Sequence, residues 1–180
     1  MYKRQEQLDD SILAAIGGVI APIFAPLGWG NWKMAVAAVT GLIAKENVVA
    51  TFGVLFGFAE VAEDGAEIWG TLATTMTAVA AYSFLVFNLL CAPCFAAMGA
   101  IKREMNNTKW FWFAIGYQTL LAYVVSLCVY QIGTLVTTGA FGVGTVVAFL
   151  FVIGFIYLLF RPYKESETLE VHMKGMAGAK

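Results

Sequence analysis

The fold of this chain is decided by the stretch Thr40-Gly41-Leu42-Ile43-Ala44-Lys45-Glu46-Asn47-Val48-Val49. A basic and an acidic side chain are neighbours here, inside a segment, residues 34–58, that is otherwise largely apolar. An ionised side chain near the centre of a bilayer costs at least roughly 2.5 to 3.5 kcal/mol, so it is kept where a partner, a water-filled cavity or a bound ion offsets that cost. The stretch therefore indicates an ion-transport site inside a membrane.

Lys45 and Glu46 each need a partner of their own. Adjacent positions on a regular helix do not face one another, so the two charges cannot neutralise each other on an unbroken helix. A short membrane helix ending at Ala44 is the alternative, with both charges in headgroup water. That alternative would leave residues 48–58 as an apolar run too short to span a bilayer.

Three neighbouring residues suit an interrupted helix. Gly41 lies upstream of the charges, and Thr40 and Asn47 add polar groups on either side. A locally unwound segment of this kind turns backbone carbonyls and a carboxylate toward a cation. We therefore predict a broken helix near Gly41–Glu46.

The composition is that of an integral membrane protein. Hydrophobic residues make up 60% of the chain and charged residues 13%, against roughly 45 to 50% and about 25% in ordinary globular domains. The charge-free runs 11–32, 68–101 and 110–160 each reach the roughly 18 to 20 residues that a membrane helix needs. The net charge is −1 and no large basic patch is present, so we expect the lipid bilayer as a partner and no nucleic acid.

The first apolar segment, residues 11–27, is predicted to be re-entrant. It contains Pro22 and Pro26, and proline inside a helix removes a hydrogen bond and kinks the chain. Irregular backbone at membrane depth must be buried in protein or reached by water, so this segment should pack inside the fold. The turn that follows, residues 27–33, is predicted to lie at the membrane interface with its tryptophans at headgroup level.

A second break is predicted near Pro93. The run 68–101 is too long for one straight crossing, and we expect a helix to about Leu90, a break, and a short helix to Ala100. Residues 110–132 and 146–160 are predicted crossings, joined by a glycine- and threonine-rich turn. The fold class is all-α and polytopic, with about five membrane segments.

The motif Cys91-Ala92-Pro93-Cys94 has three interpretations. A redox dithiol would need a thioredoxin-like βαβ context, which is absent. Two thiolates at a helix break suit a metal on a transport path, whereas two small hydrophobic residues beside a proline kink would simply pack. The residues alone leave the last two open; Cys128, on an uninterrupted helix, is predicted to pack.

Basic residues set the predicted orientation. Positive charges that flank membrane spans lie on the cytoplasmic side, and here they are Lys102, Arg103, Lys109, Arg161 and Lys164. The C-terminus is then cytoplasmic and the acidic loop 60–67 lies outside. The predicted organisation is a polar N-terminal segment (1–10), a transmembrane gate-type domain (11–162) and a flexible cytoplasmic tail (163–180).

Motifs for catalysis are missing from the sequence. It contains no phosphate-binding G-x-x-x-x-G-K-[ST] loop, no histidine-carboxylate cluster and no nucleophile elbow. We expect no enzyme activity and no permanently bound cofactor in this chain.

Two sets of residues resemble the second gate region of the bacterial ferrous iron transport protein B (FeoB) family. The first set comprises Ser11–Leu13, Pro22–Gly28, Trp32, Thr40–Gly41 and Ala44–Val49. The second comprises Phe84–Cys94, Ile101–Glu104 and Lys109–Trp110. The order and spacing match from about residue 10 to residue 132, so the chain is similar to the C-terminal membrane portion of that family.

The resemblance implies uptake of Fe(II), as the transported ion, across the bacterial cytoplasmic (inner) membrane. It places Glu46 and Cys94 in the translocation region. Lys45 is then a structural or gating counter-charge and Pro93 the helix breaker, with Gly41 and Asn47 shaping the first break. The family usually has an aromatic residue at the position of Cys91, so a paired-thiolate site that includes Cys91 cannot be carried over from it.

Family members also carry a GTP-binding domain and a first gate region before this part, and the resemblance does not extend to either. We expect both as partners, in the same gene product or as a separate chain, and we also consider a homo-oligomer. The rival interpretation is a non-transporting gate-type subunit that acts in assembly with another membrane protein. A metal requirement distinguishes the two.

Overall fold

A computed structural model describes residues 12–45, 47–58 and 68–161 of this chain. The helices in those ranges are α1 (Ile12–Phe24), a 3-10 turn (Ala25–Leu27), α2 (Trp32–Gly41), α3 (Asn47–Phe56), α4 (Trp69–Thr75), α5 (Ala78–Leu90), α6 (Phe95–Met105), α7 (Thr108–Thr138) and α8 (Val143–Phe160). The predictions for segment 1–10, the acidic loop and the tail 163–180 fall outside the described residues and stay predictions.

The described part of the chain is entirely helical, which confirms the all-α membrane fold. Three stretches are long and apolar enough to cross a membrane, namely Ala78–Met105 counted through its break, Thr108–Thr138 and Val143–Phe160. The bent pair Ala14–Leu27 and Trp32–Gly41 would make a fourth. The predicted total of about five membrane segments is therefore reached only if helices too short to cross a membrane alone are also counted.

Residues 34–58 form a hairpin rather than a crossing. The predicted break is present, because α2 ends at Gly41 and α3 begins at Asn47. The two helices then run antiparallel: the hydroxyl oxygens of Thr40 and Thr51 lie 3.0 Å apart, and Lys33 Nζ lies 5.4 Å from the centre of the Phe56 ring. Each helix has only ten residues, about 15 Å of length, so neither crosses a bilayer alone.

A bend of 93° separates the stretch Ala14–Leu27 from α2, so the bend lies after the segment 11–27 and not within it, where it was predicted. Helix α1 continues through Pro22 to Phe24, and the 3-10 turn that contains Pro26 follows. Gly28 then takes a left-handed conformation with φ of 86°, which costs glycine least. The side chain of Asn31 accepts a hydrogen bond from Lys33 N and caps α2.

The bend is buried, and the interfacial position predicted for Trp29 is wrong. Its side chain is only 2% exposed, stacks on Phe24 with ring centres 4.3 Å apart, and donates from the indole nitrogen to Ser83 Oγ at 3.4 Å. Ser83 and Ser126 are fully buried and link α5 to α7, with their hydroxyl oxygens 2.8 Å apart. Burial of the bend needs such polar partners, and they hold Trp29 inside the protein.

Side chains of α7 satisfy carbonyls at the end of the first segment. Tyr123 donates its hydroxyl to Ile23 O at 2.8 Å, and Gln131 donates its amide to Pro26 O at 3.0 Å. Carbonyls at a helix terminus have no partner within the helix, so these two bonds anchor the bend to α7.

The turn predicted at residues 133–144 is much shorter than expected. Helix α7 continues through Gly133 to Thr138, and only residues 139–142 separate it from α8. A Cβ on Gly133 would lie 2.6 Å from Val79 Cγ1, so this glycine permits close packing of α7 on α5. The threonine hydroxyls donate back to the carbonyl four residues earlier, for example Thr137 to Gly133 O at 2.8 Å, which the helix tolerates.

Gly28→Ala is expected to destabilise the protein strongly. A Cβ at this position would collide with the ring of Tyr130, and the left-handed conformation itself costs about 1 to 2 kcal/mol for a residue other than glycine. The measurement is the midpoint of thermal denaturation of the purified chain in detergent. Gly18→Ala is the control, because the added carbon would meet open space beyond the backbone of its own helix. Equal midpoints for both variants would contradict the packing described for the bend.

Candidate ion site at two helix breaks

Two helix breaks, residues 42–46 and 91–94, come together in the structure. The backbone N–H of Phe95 donates to Leu42 O at 3.3 Å, and Lys45 Nζ donates to Leu89 O at 3.2 Å. Four helix ends therefore meet at one junction: the C-terminal ends of α2 and α5 and the N-terminal ends of α3 and α6. Both breaks were predicted, and the structure confirms them.

Pro93 explains why α5 ends where it does. In an α-helix the carbonyl of one residue accepts from the N–H four residues later. For Leu89 that residue is Pro93, which has no N–H. The last bond of α5 runs from Cys91 N to Phe87 O at 2.8 Å, so the Leu89 carbonyl is left for the lysine.

Gly41 lets the two breaks approach each other. It is buried, and a Cβ there would lie 2.9 Å from Val48 Cγ2 and 3.0 Å from Asn88 Oδ1. The Asn88 side chain is held by its own helix, because its Nδ2 donates to Phe84 O at 2.9 Å. The amide oxygen of Asn88 is thereby directed at the α2 terminus.

Among the residues that the structure describes, the partner of Lys45 is a carbonyl. The ammonium group of Lys45 donates this hydrogen bond to Leu89 O, and the side chain is otherwise exposed. Glu46 lies outside the described residues, so its predicted role as an ion ligand stays a prediction. Asn47 is exposed at the start of α3, and its carbonyl accepts the Thr51 hydroxyl at 2.7 Å.

The two cysteines of the second break have different surroundings. Cys91 is 2% exposed and its thiol contacts Asn88 O at 3.3 Å; it also lines an apolar cavity of about 330 Å³ with Leu42, Phe95 and Trp112. Cys94 is half-buried, precedes α6 and makes no capping bond with its side chain. All the cysteines are free thiols. Cys94 is therefore more accessible to an ion than Cys91, which is packed inside the protein.

Cys128 packs between α7 and α8, as predicted. It is buried, and its thiol lies 3.6 Å from Ala148 O.

Within the described ranges, no three cysteine, histidine, aspartate or glutamate residues lie close enough to form a metal cluster.

Asn88 is the residue that sequence analysis passed over. It entered only within the range Phe84–Cys94 that carries the family resemblance, yet its oxygen faces Gly41 across the junction. A polar residue in the last turn before a proline break was the available signal, since the carbonyls of that turn lack helical partners.

Comparison with known proteins shows which proteins this chain is similar to. A family model described as "Gate: Nucleoside recognition" matches residues 8–108. The chain is 37% identical over 135 residues to the Fe(2+) transporter FeoB of Methanocaldococcus jannaschii, covering 75% of this chain and 19% of the relative. It is 35% identical over 140 residues to the Fe(2+) transport protein A/Fe(2+) transporter FeoB fusion protein of Porphyromonas gingivalis, covering 72% and 16%.

A third relative, the Fe(2+) transporter FeoB of Staphylococcus aureus (strain COL), is 30% identical over 128 residues, covering 71% of this chain and 18% of the relative. The chain thus spans less than a fifth of the length of these relatives. No solved structure gives a significant match.

Proposed function

The chain belongs to the Gate family and is a membrane portion of the FeoB type, and from this premise we propose that it forms part of the path by which Fe(II) crosses the cytoplasmic membrane into the cell. The observation that carries the proposal is the junction of the two helix breaks. It joins the segment that contains Glu46 to the residue next to Cys94, through the bond from Phe95 N to Leu42 O.

The chemistry of the junction suits a divalent ion that must be bound briefly. Helix C-termini carry about −0.5 elementary charge each and N-termini about +0.5. Two ends of each kind meet here, so the negative charge for a cation must come from side chains. Glu46 would supply a full negative charge and Cys94 a softer sulfur ligand, both of which ferrous iron accepts. Fe(II) is the cargo in this scheme, not a resident cofactor.

The remaining parts of the transporter act with this chain. The relatives are named as Fe(2+) transporters over lengths more than five times greater than the matched part. We propose that a GTP-binding domain and a first gate region, in the same gene product or as a separate chain, complete the path, and that this chain has no enzyme activity itself. Assembly of several copies around one path is compatible with the exposed faces of α6 and α8.

The proposal is tested by measuring the uptake of radiolabelled Fe(II) in cells that have no ferrous iron uptake of their own. The cells express this chain together with a GTP-binding domain and a first gate region. Uptake should require the chain and should fall when Glu46 or Cys94 is changed. An assembly subunit without a transport role would give uptake that is lost when the chain is deleted but is indifferent to both substitutions.

The orientation of the chain is a separate proposal, with the basic residues around Lys102 and the C-terminus in the cytoplasm. Phe52 packs on Phe84 with ring centres 5.6 Å apart, while Gly41 faces Asn88, so α3 runs toward the start of α5. The end of α3 is therefore at the opposite end of the α5–α6 span from Met105, which supports an outside location for the acidic loop 60–67.

Thiol labelling of intact cells tests this orientation. In a chain whose own cysteines are changed to serine, Ala62→Cys should react with an impermeant thiol reagent added outside. Glu104→Cys, at an exposed site near the end of α6, should react only after the cells are opened. Labelling with the opposite pattern would invert the orientation.

A further inference from the structure

We propose that α6 and α7 together bind one anionic phospholipid, with its phosphate at Lys102 and Lys109 and one acyl chain in the cavity beside the two helix breaks. The lipid comes from the leaflet that surrounds the turn between α6 and α7. The site requires only the membrane fold, and it does not depend on the route that Fe(II) takes.

The cavity of about 330 Å³ is apolar and reaches the outer surface of the helices. Its wall includes Leu42 after α2, Met98 on α6 and Ile115 on α7. Two other wall residues, Phe95 and Trp112, are 61% and 65% exposed. Because α6 and α7 belong to membrane-length stretches, their exposed surface contacts hydrocarbon. An acyl chain is therefore the molecule at hand to fill this cavity.

Two lysines continue the cavity wall toward the end of each helix. Lys102 follows Met98 by four residues on α6, and Lys109 precedes Trp112 by three residues on α7. Helix residues with these spacings lie on the same face. Only residues 106–107 separate the two helices, so both lysines flank one turn. Both are exposed, and lysine can keep its ammonium in water while its stem lies along apolar surface.

The depth of the cavity matches one leaflet of a bilayer. Phe95 is seven residues from Lys102 along α6, and Thr119 is ten residues from Lys109 along α7. With a rise of about 1.5 Å per residue, these separations are about 10 and 15 Å. Half of the hydrocarbon thickness is roughly 15 Å. A chain that enters at the level of the lysines therefore ends near the middle of the membrane, which is the geometry of a phospholipid.

The charge of the turn selects an anionic headgroup. Residues 102–109 contain three basic side chains and one acidic side chain, a formal net charge of +2. Each basic residue near an anionic lipid contributes roughly fivefold to binding. A phospholipid without net charge gains little from this term. Trp110, which is 60% exposed beside Lys109, adds an aromatic ring of the kind that lies at headgroup level.

The test is a titration of the purified full chain in detergent with dioleoyl phosphatidylglycerol, in which native mass spectrometry counts the bound lipids. One molecule should bind with a dissociation constant about tenfold or more below that of dioleoyl phosphatidylcholine, which has the same acyl chains and no net charge. Lys102→Gln combined with Lys109→Gln should remove most of this difference. Equal binding of the two lipids by the unchanged chain would overturn the proposal.

Arg161→Gln is the matched control for the lysines. Arg161 is exposed beyond the end of α8. Helix α8 returns antiparallel to α7, with the Cys128 thiol against Ala148 O, so Arg161 lies at the same side of the membrane as the α6–α7 turn. Its substitution should leave the phosphatidylglycerol dissociation constant unchanged. A loss as large as that of the double lysine variant would show a general attraction of charges and no site.

A second set of variants tests the acyl chain. Thr119→Phe fills the inner end of the cavity and should raise the phosphatidylglycerol dissociation constant about tenfold with both lysines intact; Met98→Trp is an alternative filling variant. Leu120→Phe is the control, because Leu120 is 63% exposed and is not part of the cavity wall. Thermal denaturation shows which variants are folded. Unchanged binding by a folded filled variant would refute the acyl site, as would displacement of the lipid by inorganic phosphate alone.

Discussion

Glu46→Gln is expected to nearly abolish Fe(II) uptake while leaving the chain inserted in the membrane. Glutamine keeps the size of the side chain and removes its charge. Opposite unit charges 4 Å apart gain about 4 kcal/mol at an effective dielectric constant of 20, well above the roughly 1.4 kcal/mol that a tenfold change requires. The measurement is the initial rate of radiolabelled Fe(II) uptake, normalised to the amount of chain in the membrane fraction.

Glu104→Gln is the matched control for this experiment. Glu104 has the same side chain as Glu46, but it is exposed in the last turns of α6, beside Lys102 and Arg103. Its substitution should leave uptake within the variation of the assay. Normal uptake by Glu46→Gln would remove Glu46 from the ion path and would weaken the interpretation of the whole 40–49 stretch as a transport site.

The breaks themselves could be predicted from sequence because their causes are local. Pro93 lacks an N–H whatever its surroundings, and adjacent charges with a glycine upstream disfavour a buried regular helix at Gly41–Glu46. The bonds that bring the breaks together could not be predicted, since they join Leu42 to Phe95 and Lys45 to Leu89. Nothing within either segment specifies its partner.

The errors in the sequence analysis came from residues whose usual surroundings differ from those found here. Tryptophan is enriched at membrane interfaces, but Trp29 finds its polar partner in the buried Ser83. Glycine usually marks a turn, but Gly133 marks a close approach to Val79 within a long helix. The antiparallel return of α3 along α2 was likewise hidden, because hydropathy measures the length of an apolar segment and not its direction.

Cys94→Ser is expected to lower Fe(II) uptake strongly, by about tenfold or more at limiting Fe(II). Serine keeps the size of the side chain but replaces a soft, ionisable sulfur with a harder and far less acidic hydroxyl. Cys94 lies directly before Phe95, whose backbone N–H donates to Leu42 O, so this residue belongs to the junction of the two breaks. The measurement is uptake at several Fe(II) concentrations, because loss of a ligand should matter most when the ion is scarce.

The other two cysteines make the test specific. Cys128→Ser should change uptake little, because serine can donate to Ala148 O in place of the thiol and the site is remote from both breaks. Cys91→Ser should have a mild effect, since the Cys91 thiol is buried and directed at Asn88 O, a bond that a hydroxyl can also make. Losses of similar size in Cys91→Ser and Cys94→Ser would instead indicate a joint thiolate site. A joint site is not expected, because a pair of thiolates would hold the ion too tightly to release it. Normal transport by Cys94→Ser at limiting Fe(II) would leave packing as the role of this cysteine.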